Sequence, residues 1–342
     1  MKRTLLRPLS WMYSALMQLR NGAYDHHLFS QYQCKAPVIS VGNLNVGGTG
    51  KTPLVEHLSV QFHQEDRIVG VVSRGFKRKS RGQIIVSSGN GPEVSPEQAG
   101  DEPYMLAALH PDLRIVVDTD RVSAAKTAVD RLGAEILLMD DGFQHRALAR
   151  DVNIVLVPAS DILNREAVLP AGRLRESWDG LHRATHTLVT NIPGKQTRQK
   201  EIRDFLRQHT DARVFYAEKQ IVPVLTNPVR KESIALAEYE EPIRVFALAG
   251  IGVPNQFKKA LENFAVELIE FYSFPDHFYF PPEDQVRLCN EFHDSGADVL
   301  VMTAKDFVKW DRELTGKEPI YFLPVEYKID PPLFPELLAN GQ

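Results

Sequence analysis

The sequence predicts an α/β protein, in which a parallel sheet flanked by helices is followed by a second, smaller α/β unit. Three observations predict it. From residue 37 to about residue 191, short β-branched runs alternate with helical patterns, the rhythm of parallel strands joined by crossover helices. The alternation pauses over 213–240 and resumes at 244. Between the first strand and the first helix lies a glycine-rich loop, GNLNVGGTGKTP at 42–53.

At 342 residues and 43% apolar content, the chain can bury two cores. With 40 basic and 44 acidic residues it carries a formal charge of −4, and no arginine-rich or aromatic-interleaved tract stands out, so nucleic acid is not an expected partner. Its two cysteines, Cys34 and Cys289, are far apart and lack metal-ligand spacing, which fits a reducing, cytoplasmic setting.

The first 24 residues hold no acid, carry Lys2, Arg3, Arg7 and Arg20, and repeat Leu5, Leu9, Met12, Tyr13, Leu16 and Leu19 at helical spacing. Arg7, Ser10 and Gln18 interrupt the apolar run, so this basic amphipathic helix is too short to span a bilayer, which needs about 20 apolar residues. Trp11, Tyr13 and the basic residues suit the headgroup region; packing on the protein's own core weighs equally in the sequence. No apolar h-region precedes a small-residue cleavage site, which argues against a secretory signal.

Next come strands at 38–41, 67–73, 114–118, 135–140, 152–157 and 187–191, with helices at 52–64, 100–109 and 121–132, the last capped by Asp120. A polar helix at 199–209 leads to extended segments near 213–218 and 220–225 and then to charged, turn-like sequence. The second unit reads as strands at 244–249, 266–271, 298–303 and 320–325 and helices at 255–264 and 282–293. The expected organisation is thus a docking helix over 1–24, a main domain over 25–212, a linker over 213–240 and a smaller domain over 241–342.

The glycine-rich loop carries the chemistry. A triphosphate must be cradled by backbone N–H groups at close range, which residues without a bulky Cβ allow, and Gly47, Gly48 and Gly50 meet that need. Asn45, Val46 and Thr49 complete the loop, Lys51 would reach the β- and γ-phosphates, and Thr52 would bind Mg²⁺. Asn45 stands where the full pattern has its first glycine, and Asn tolerates positive φ better than other side chains. A glycine-rich turn can also merely join strand to helix, but Gly-Lys-Thr in register after an apolar strand favours a P-loop NTPase-like fold.

Asp140 and Asp141 end the strand Ile136-Leu137-Leu138-Met139, where a Walker-B element holds Mg²⁺ or its waters. Asp101 opens a helix, where an acid also complements the helix dipole. His277 sits in an aromatic, proline-bounded loop, and although a lone histidine is usually structural, Asp101 with His277 would make a proton-sharing pair if the domains close. Arg173 and Arg175 in LPAGRLRE, with Arg74 and Arg121 after strand ends, match a phosphate-bearing second substrate, although each could be a surface ion pair. The basic run Lys77-Arg78-Lys79-Ser80-Arg81 reads as a solvated loop, with contact to an acidic ligand or lipid as the alternative.

Taken in order, GNLNVGGTGKTP, SRGF (73–76), GDEP (100–103), VDTDR (117–121), DDGFQH (140–145), LPAGRLRE (169–176), AGIGVPNQF (249–257), FPDHF (274–278) and TAKD (303–306) resemble the tetraacyldisaccharide 4'-kinases of lipid A biosynthesis. The resemblance implies ATP-dependent phosphorylation of the 4'-hydroxyl of a tetraacylated glucosamine disaccharide 1-phosphate, a lipid A precursor. It places that reaction at the cytoplasmic face of the inner membrane, on a protein of two α/β domains joined by a two-stranded linker. By motif, Asp101 and His277 resemble the family's catalytic dyad, Asp140 and Asp141 its Walker-B acids and residues 45–52 its ATP loop. Arg74, Arg121, Arg175 and Glu176 match positions near phosphates or sugar, and the N-terminal helix matches the membrane-docking segment. Phe76 stands where the family more usually has tyrosine, so this chain lacks that hydroxyl.

Two other classes share the loop. A membrane-cycling regulatory ATPase would carry a signature lysine before the paired glycines, where this chain has Val46. A metallochaperone-like GTPase would need an Asn-Lys-x-Asp run and a His or Cys cluster, and neither is present in the sequence.

Overall fold

The computed structural model describes residues 5–238 and 241–340. Lys2 and Arg3, counted among the basic residues of the first helix, lie outside them, as do the ends of the expected linker and of the expected smaller domain. Helix α1 (Arg7–Asp25) leads to β1 (Val38–Asn43), whose alternate residues Ile39 and Val41 pack on one side of the sheet and Val38 on the other. Helix α2 (Lys51–Gln64) lies on the Ile39 side through Leu54, Val55, Leu58 and Phe62. The main sheet continues with β2 (Val69–Ser73), β3 (Ile84–Ser88), β4 (Arg114–Val117), β5 (Ile136–Asp140), β6 (Val152–Pro158), β7 (His186–Thr190) and β8 (Arg213–Ile221). Its intervening helices are α3 (Pro96–Ala99), α4 (Asp101–Leu109), α5 (Arg121–Lys126) running into a π-type turn, α6 (Ala159–Leu163) and α7 (Gln196–His209).

The second sheet is built from β9 (Val224–Asn227), β10 (Glu232–Ala235), β11 (Ile243–Ala249), β12 (Val266–Ser273), β13 (Val299–Thr303) and β14 (Ile320–Leu323), with helices α8 (Pro254–Glu262), α9 (Pro282–Ser295), α10 (Ala304–Phe307) and α11 (Arg312–Lys317). The chain then returns to the first sheet through β15 (Val325–Asp330) and α12 (Phe334–Asn340).

The nine-stranded sheet has the order β15-β8-β7-β6-β1-β5-β2-β4-β3, parallel except for its two edges, where β15 and β3 run antiparallel to their neighbours. The six-stranded sheet has the order β10-β9-β14-β13-β11-β12, with a parallel core and an antiparallel β9–β10 edge. In both, buried β-branched and leucine-rich strands covered on two faces favour parallel pairing.

This corrects the expected boundaries. Residues 213–221, read as the start of a linker, form a strand of the large sheet, because Phe215 and Ala217 are buried in its core. Residues 325–340, assigned by sequence to the smaller domain, belong to the large one, where Tyr327, Leu333 and Leu337 enter the same core. The chain therefore crosses between the sheets twice, at 222–223 and at Pro324, and these crossings touch through Val222 N–H and Pro324 C=O at 3.1 Å.

Helix α1 does not hide its apolar face. Ser10 is buried and bonds to the 168–171 loop, donating to Val168 C=O and accepting from Ala171 N–H, both at 3.0 Å, while Arg20 donates to Gln144 C=O. The opposite face leaves Leu5, Leu9, Trp11, Met12, Leu16 and Leu19 exposed, from 53% at Leu9 to 78% at Leu5. Among the described residues, no helix is long and apolar enough to cross a membrane.

Candidate active site

The glycine-rich loop sits between β1 and α2 as the sequence predicts. Gly50 caps α2 with φ 94°, and a Cβ there would collide with the Tyr327 hydroxyl and the Lys219 side chain, so only glycine fits. Tyr327 donates to Gly50 C=O at 3.0 Å, so the returning strand β15 supports the loop from beneath. Gly47 also has positive φ, at 138°, while Val46, Gly47 and Gly48 stay open to solvent. Asn45 departs from its reading as a positive-φ residue. It forms an extended bridge to Leu174, accepts from Asn43 Nδ2 at 2.7 Å and donates to Asp161 at 2.5 Å. Asn43 Nδ2 also donates to Thr49 Oγ1 at 2.8 Å. The side chain of Asn45 is a strut for the loop, a role that glycine could not fill.

The LPAGRLRE segment clamps this loop from the outside. Val46 N–H donates to Arg173 C=O and Arg175 N–H to Leu44 C=O. Arg173, expected to meet substrate, pairs with Asp161 at 2.5 Å and Glu166 at 3.5 Å, yet half its side chain is solvent-exposed. Arg175 makes a forked contact to Asp141 at 2.9 and 3.0 Å and reaches Gln144 Oε1. Glu176 is buried, accepting from Gln144, Asn21 and Arg183 at 2.9, 3.0 and 2.6 Å, so it braces α1 against the site and presents no free oxygen to a ligand.

Thr52 Oγ1 donates to Asp140 Oδ2 at 3.1 Å, and Asp140 Oδ1 is buried without a hydrogen-bond partner. Burial raises the Asp140 carboxyl to about 6, against the pull of Lys51. Asp141, at φ 52°, lies 3.4 Å from Lys51 Nζ; burial pushes its carboxyl up, but Lys51 and Arg175 outweigh that and hold it below the usual range. An orphaned buried carboxylate oxygen beside a threonine hydroxyl is the hard-oxygen donor set that suits Mg²⁺, so the residues fit that ion.

Arg121 is buried and donates to the C=O groups of Asp118 and Thr119; burial pushes it down to about 10, with Asp141, Arg74 and Asp140 all within electrostatic reach. Arg74 is exposed on the loop after β2. That loop packs against the start of α4 glycine to glycine. A Cβ on Gly100, at φ 90°, would press on the Gly75 backbone at 3.1 Å and on Phe76 C=O at 3.2 Å.

Asp101 follows Gly100 in the first turn of α4, where the helix dipole favours an anion. His277 comes from the other sheet, in the loop after β12. Its φ is 67°, its N–H donates to Gly250 C=O, and Phe274, Phe278 and Phe280 pack around the loop with centroids 4.8 to 5.1 Å apart. His277 Nδ1 lies 2.9 Å from Asp101 Oδ2, so the pair expected from sequence is formed across the two units. Phe76 is exposed, with its ring 6.1 Å from that of His277. Glu102, next to Asp101, is close enough to Asp140 to help raise its carboxyl, which ties the dyad to the phosphate loop.

Sequence reasoning missed Tyr327, Lys305 and Lys309. Lys309 Nζ lies 3.4 Å and Lys305 Nζ 3.9 Å from Asp101 Oδ2. Lys305 is in the TAKD motif and was visible by pattern, whereas Tyr327 and Lys309 carry no local signal.

Comparison with known proteins agrees with this geometry. The family model described as "Tetraacyldisaccharide-1-P 4'-kinase" matches residues 2–341. The tetraacyldisaccharide 4'-kinase of Aquifex aeolicus is 34% identical over 330 residues, covering 96% of each chain. That of Geobacter metallireducens is 36% identical over 329 residues, covering 96% of this chain and 94% of the relative. A solved structure of "apo" form LpxK from Aquifex aeolicus in complex with ATP is similar with a TM-score of 0.80 and 32% identity, covering 100% of both chains. With a phosphate loop, an acid pair and an interdomain Asp–His pair on one chain matched from end to end, the protein belongs to the tetraacyldisaccharide-1-P 4'-kinase family.

Proposed function

We propose that the chain transfers the γ-phosphate of ATP to the 4'-hydroxyl of a tetraacylated glucosamine disaccharide 1-phosphate. The observation that carries this reading is the 2.9 Å contact between Asp101 of the phosphate-loop unit and His277 of the smaller one, which joins two separated motifs into one acid–base pair.

The loop from Asn45 to Thr52 holds the triphosphate, with Lys51 on the β- and γ-oxygens. Thr52 and Asp140, with the neighbouring Asp141, would hold Mg²⁺, and the bound ion would neutralise charge on the transferring phosphoryl group. Asp101 Oδ2 is engaged by His277, while Oδ1 has no hydrogen-bond partner among the described residues. Oδ1 therefore accepts the proton as the sugar oxygen bonds to phosphorus, the bond from γ-phosphorus to its bridging oxygen breaks and ADP leaves. His277 fixes the carboxylate and shares the proton. Arg74 and Arg121 receive the second substrate's phosphate, and Arg175 keeps Asp141 in place. We assign residues 25–221 with 325–340 to the kinase domain and 224–323 to the domain that closes on it.

The exposed apolar face of α1, tied to the site through Arg20 and Asn21, supports peripheral docking at the cytoplasmic face of the inner membrane. The reading is tested with radiolabelled ATP and the lipid A precursor. Label on the disaccharide supports it, and hydrolysis of ATP without labelled lipid would favour a membrane-cycling ATPase instead. Asp101→Ala with wild-type turnover would remove the dyad from the mechanism.

A further inference from the structure

Three nitrogen-bearing side chains of the smaller unit converge on one carboxylate of the larger. His277 Nδ1 is 2.9 Å, Lys309 Nζ 3.4 Å and Lys305 Nζ 3.9 Å from Asp101 Oδ2. The two lysines differ. The Lys309 side chain is only 2% exposed, and a buried ammonium is costly unless every donor is met. Its ammonium donates to Phe278 C=O at 2.9 Å, lies 3.4 Å from Asp306 Oδ1 as an ion pair without a hydrogen bond, and donates to Asp101 Oδ2 at 3.4 Å.

The first two belong to its own unit and prepare the lysine for the third. Asp306 is itself fixed through Oδ2, which accepts from Gly250 N–H at 2.9 Å and Thr303 Oγ1 at 2.6 Å. Gly250 C=O in turn accepts from His277 N–H, so one rigid set of bonds aims both His277 and Lys309 at Asp101. Lys305 sits further out, 3.4 Å from Glu102 and 3.8 Å from Asp276.

We propose that Lys309 is a positioning residue for phosphoryl transfer, which with His277 saturates Oδ2 of Asp101 and leaves Oδ1 as the oxygen that faces the acceptor hydroxyl. The inference rests on the reading of Asp101 as proton acceptor. Domain closure and completion of the base are then a single event, because an open arrangement takes Lys309 and His277 away together. The groups that set the field at Asp101 are Lys309, Lys305 and His277 on one side and Glu102, Asp276 and Asp306 on the other. Loss of the Lys309 charge makes ionised Asp101 less favourable.

The test uses the full-length enzyme, with steady-state transfer of label from ATP to the disaccharide 1-phosphate across pH. Lys309→Met, close in length and apolar, is expected to lower kcat by about tenfold or more. The KM for ATP stays within roughly twofold, because the phosphate loop is untouched. The acidic limb of the kcat profile moves to higher pH by about half a unit or more. Wild-type kcat with an unmoved limb would overturn the proposal, as would a fall in kcat with a raised KM for ATP and an unmoved limb, the pattern of a purely structural lysine. Should Lys309→Met fail to fold, Lys305→Met probes the same field from the accessible side. A limb moved in the same direction by a smaller amount supports the proposal, and an unmoved limb overturns it. Asp101→Asn separates the two levels: activity retained there sinks the proton-acceptor reading itself, while a dead Asp101→Asn beside an unaffected Lys309→Met sinks only the role of the lysine.

Discussion

At the scale of single residues, Asp101 and His277 meet at 2.9 Å and Lys51 and Asp141 at 3.4 Å, although their motifs lie far apart in the chain. Lys51, Thr52, Asp140, Asp141 and Asp101 come together because their motifs mark strand ends and helix starts of the large sheet, and His277 reaches Asp101 from the loop after β12 of the other sheet. Arg173 and Glu176 were legible only as charges near the site. Their partners Asp161 and Arg183 carry no motif, so the buried bonds that occupy them could not be foreseen. Two titratable groups give opposite pH dependences. Asp140 titrates at about 6, above its unfolded value of about 3.8, so the folded chain binds more protons between those values and its stability falls as pH rises through that window. Asp140→Asn should therefore stabilise the nucleotide-free protein at pH 8 by about 1–3 kcal/mol while abolishing kinase activity, and an unchanged urea midpoint at pH 8 would refute the first half. His145 is held down at about 4 by burial and by Arg121, below its unfolded value of about 6.5, so the unfolded chain binds more protons between those values and stability rises with pH there. His145→Asn should flatten that rise, read as a smaller change in urea midpoint between pH 4.5 and pH 6.5 than the wild type shows.

At the scale of elements, periodicity revealed what a segment is and local pattern failed where pairing is distant. Helix α1 was visible from its apolar spacing, yet nothing in residues 1–24 shows that Ser10, Arg20 and Asn21 anchor one face to the 168–176 and 144 loops and so leave the other bare. Edge strand β3 carries no clear strand pattern, because it is only partly buried and polar at one end. Strand β15 has no local signature, because its partner β8 lies about a hundred residues earlier. The exposed face of α1 sets an expectation for membranes. Replacing Leu9, Met12 and Leu16 with Ser removes three exposed apolar side chains, each contributing about 1 kcal/mol or more when buried in lipid. Binding to anionic liposomes should fall by at least about tenfold in sedimentation, with the melting temperature unchanged because none of the three is buried in the protein. A drop in melting temperature with unchanged liposome binding would show instead that this face packs on protein.

At the scale of the molecule, the smaller unit is an insertion within the larger one, since residues 325–340 complete the sheet that residues 38–221 begin. The P-loop depends on that return, because Tyr327 holds Gly50 C=O and occupies the space beneath it. A chain ending at residue 222 would lose the β15 pairing and the buried side chains of Tyr327, Leu333 and Leu337. Each such loss costs on the order of 2–5 kcal/mol, which together rivals the whole stability of an ordinary domain. The two crossing points, however, are bonded neighbours at Val222 and Pro324, 3.1 Å apart. A short glycine-serine linker from residue 222 to residue 325 can therefore close the gap left by excising 223–324 without straining either strand. We expect that shortened chain to bind ATP in isothermal titration while the chain ending at 222 does not, and to lack transfer to lipid because it has lost His277, Lys305 and Lys309. If the chain ending at 222 bound ATP as well as the relinked one, the C-terminal strand would be a bystander to the nucleotide site, and the large domain would be complete without its last strand and helix.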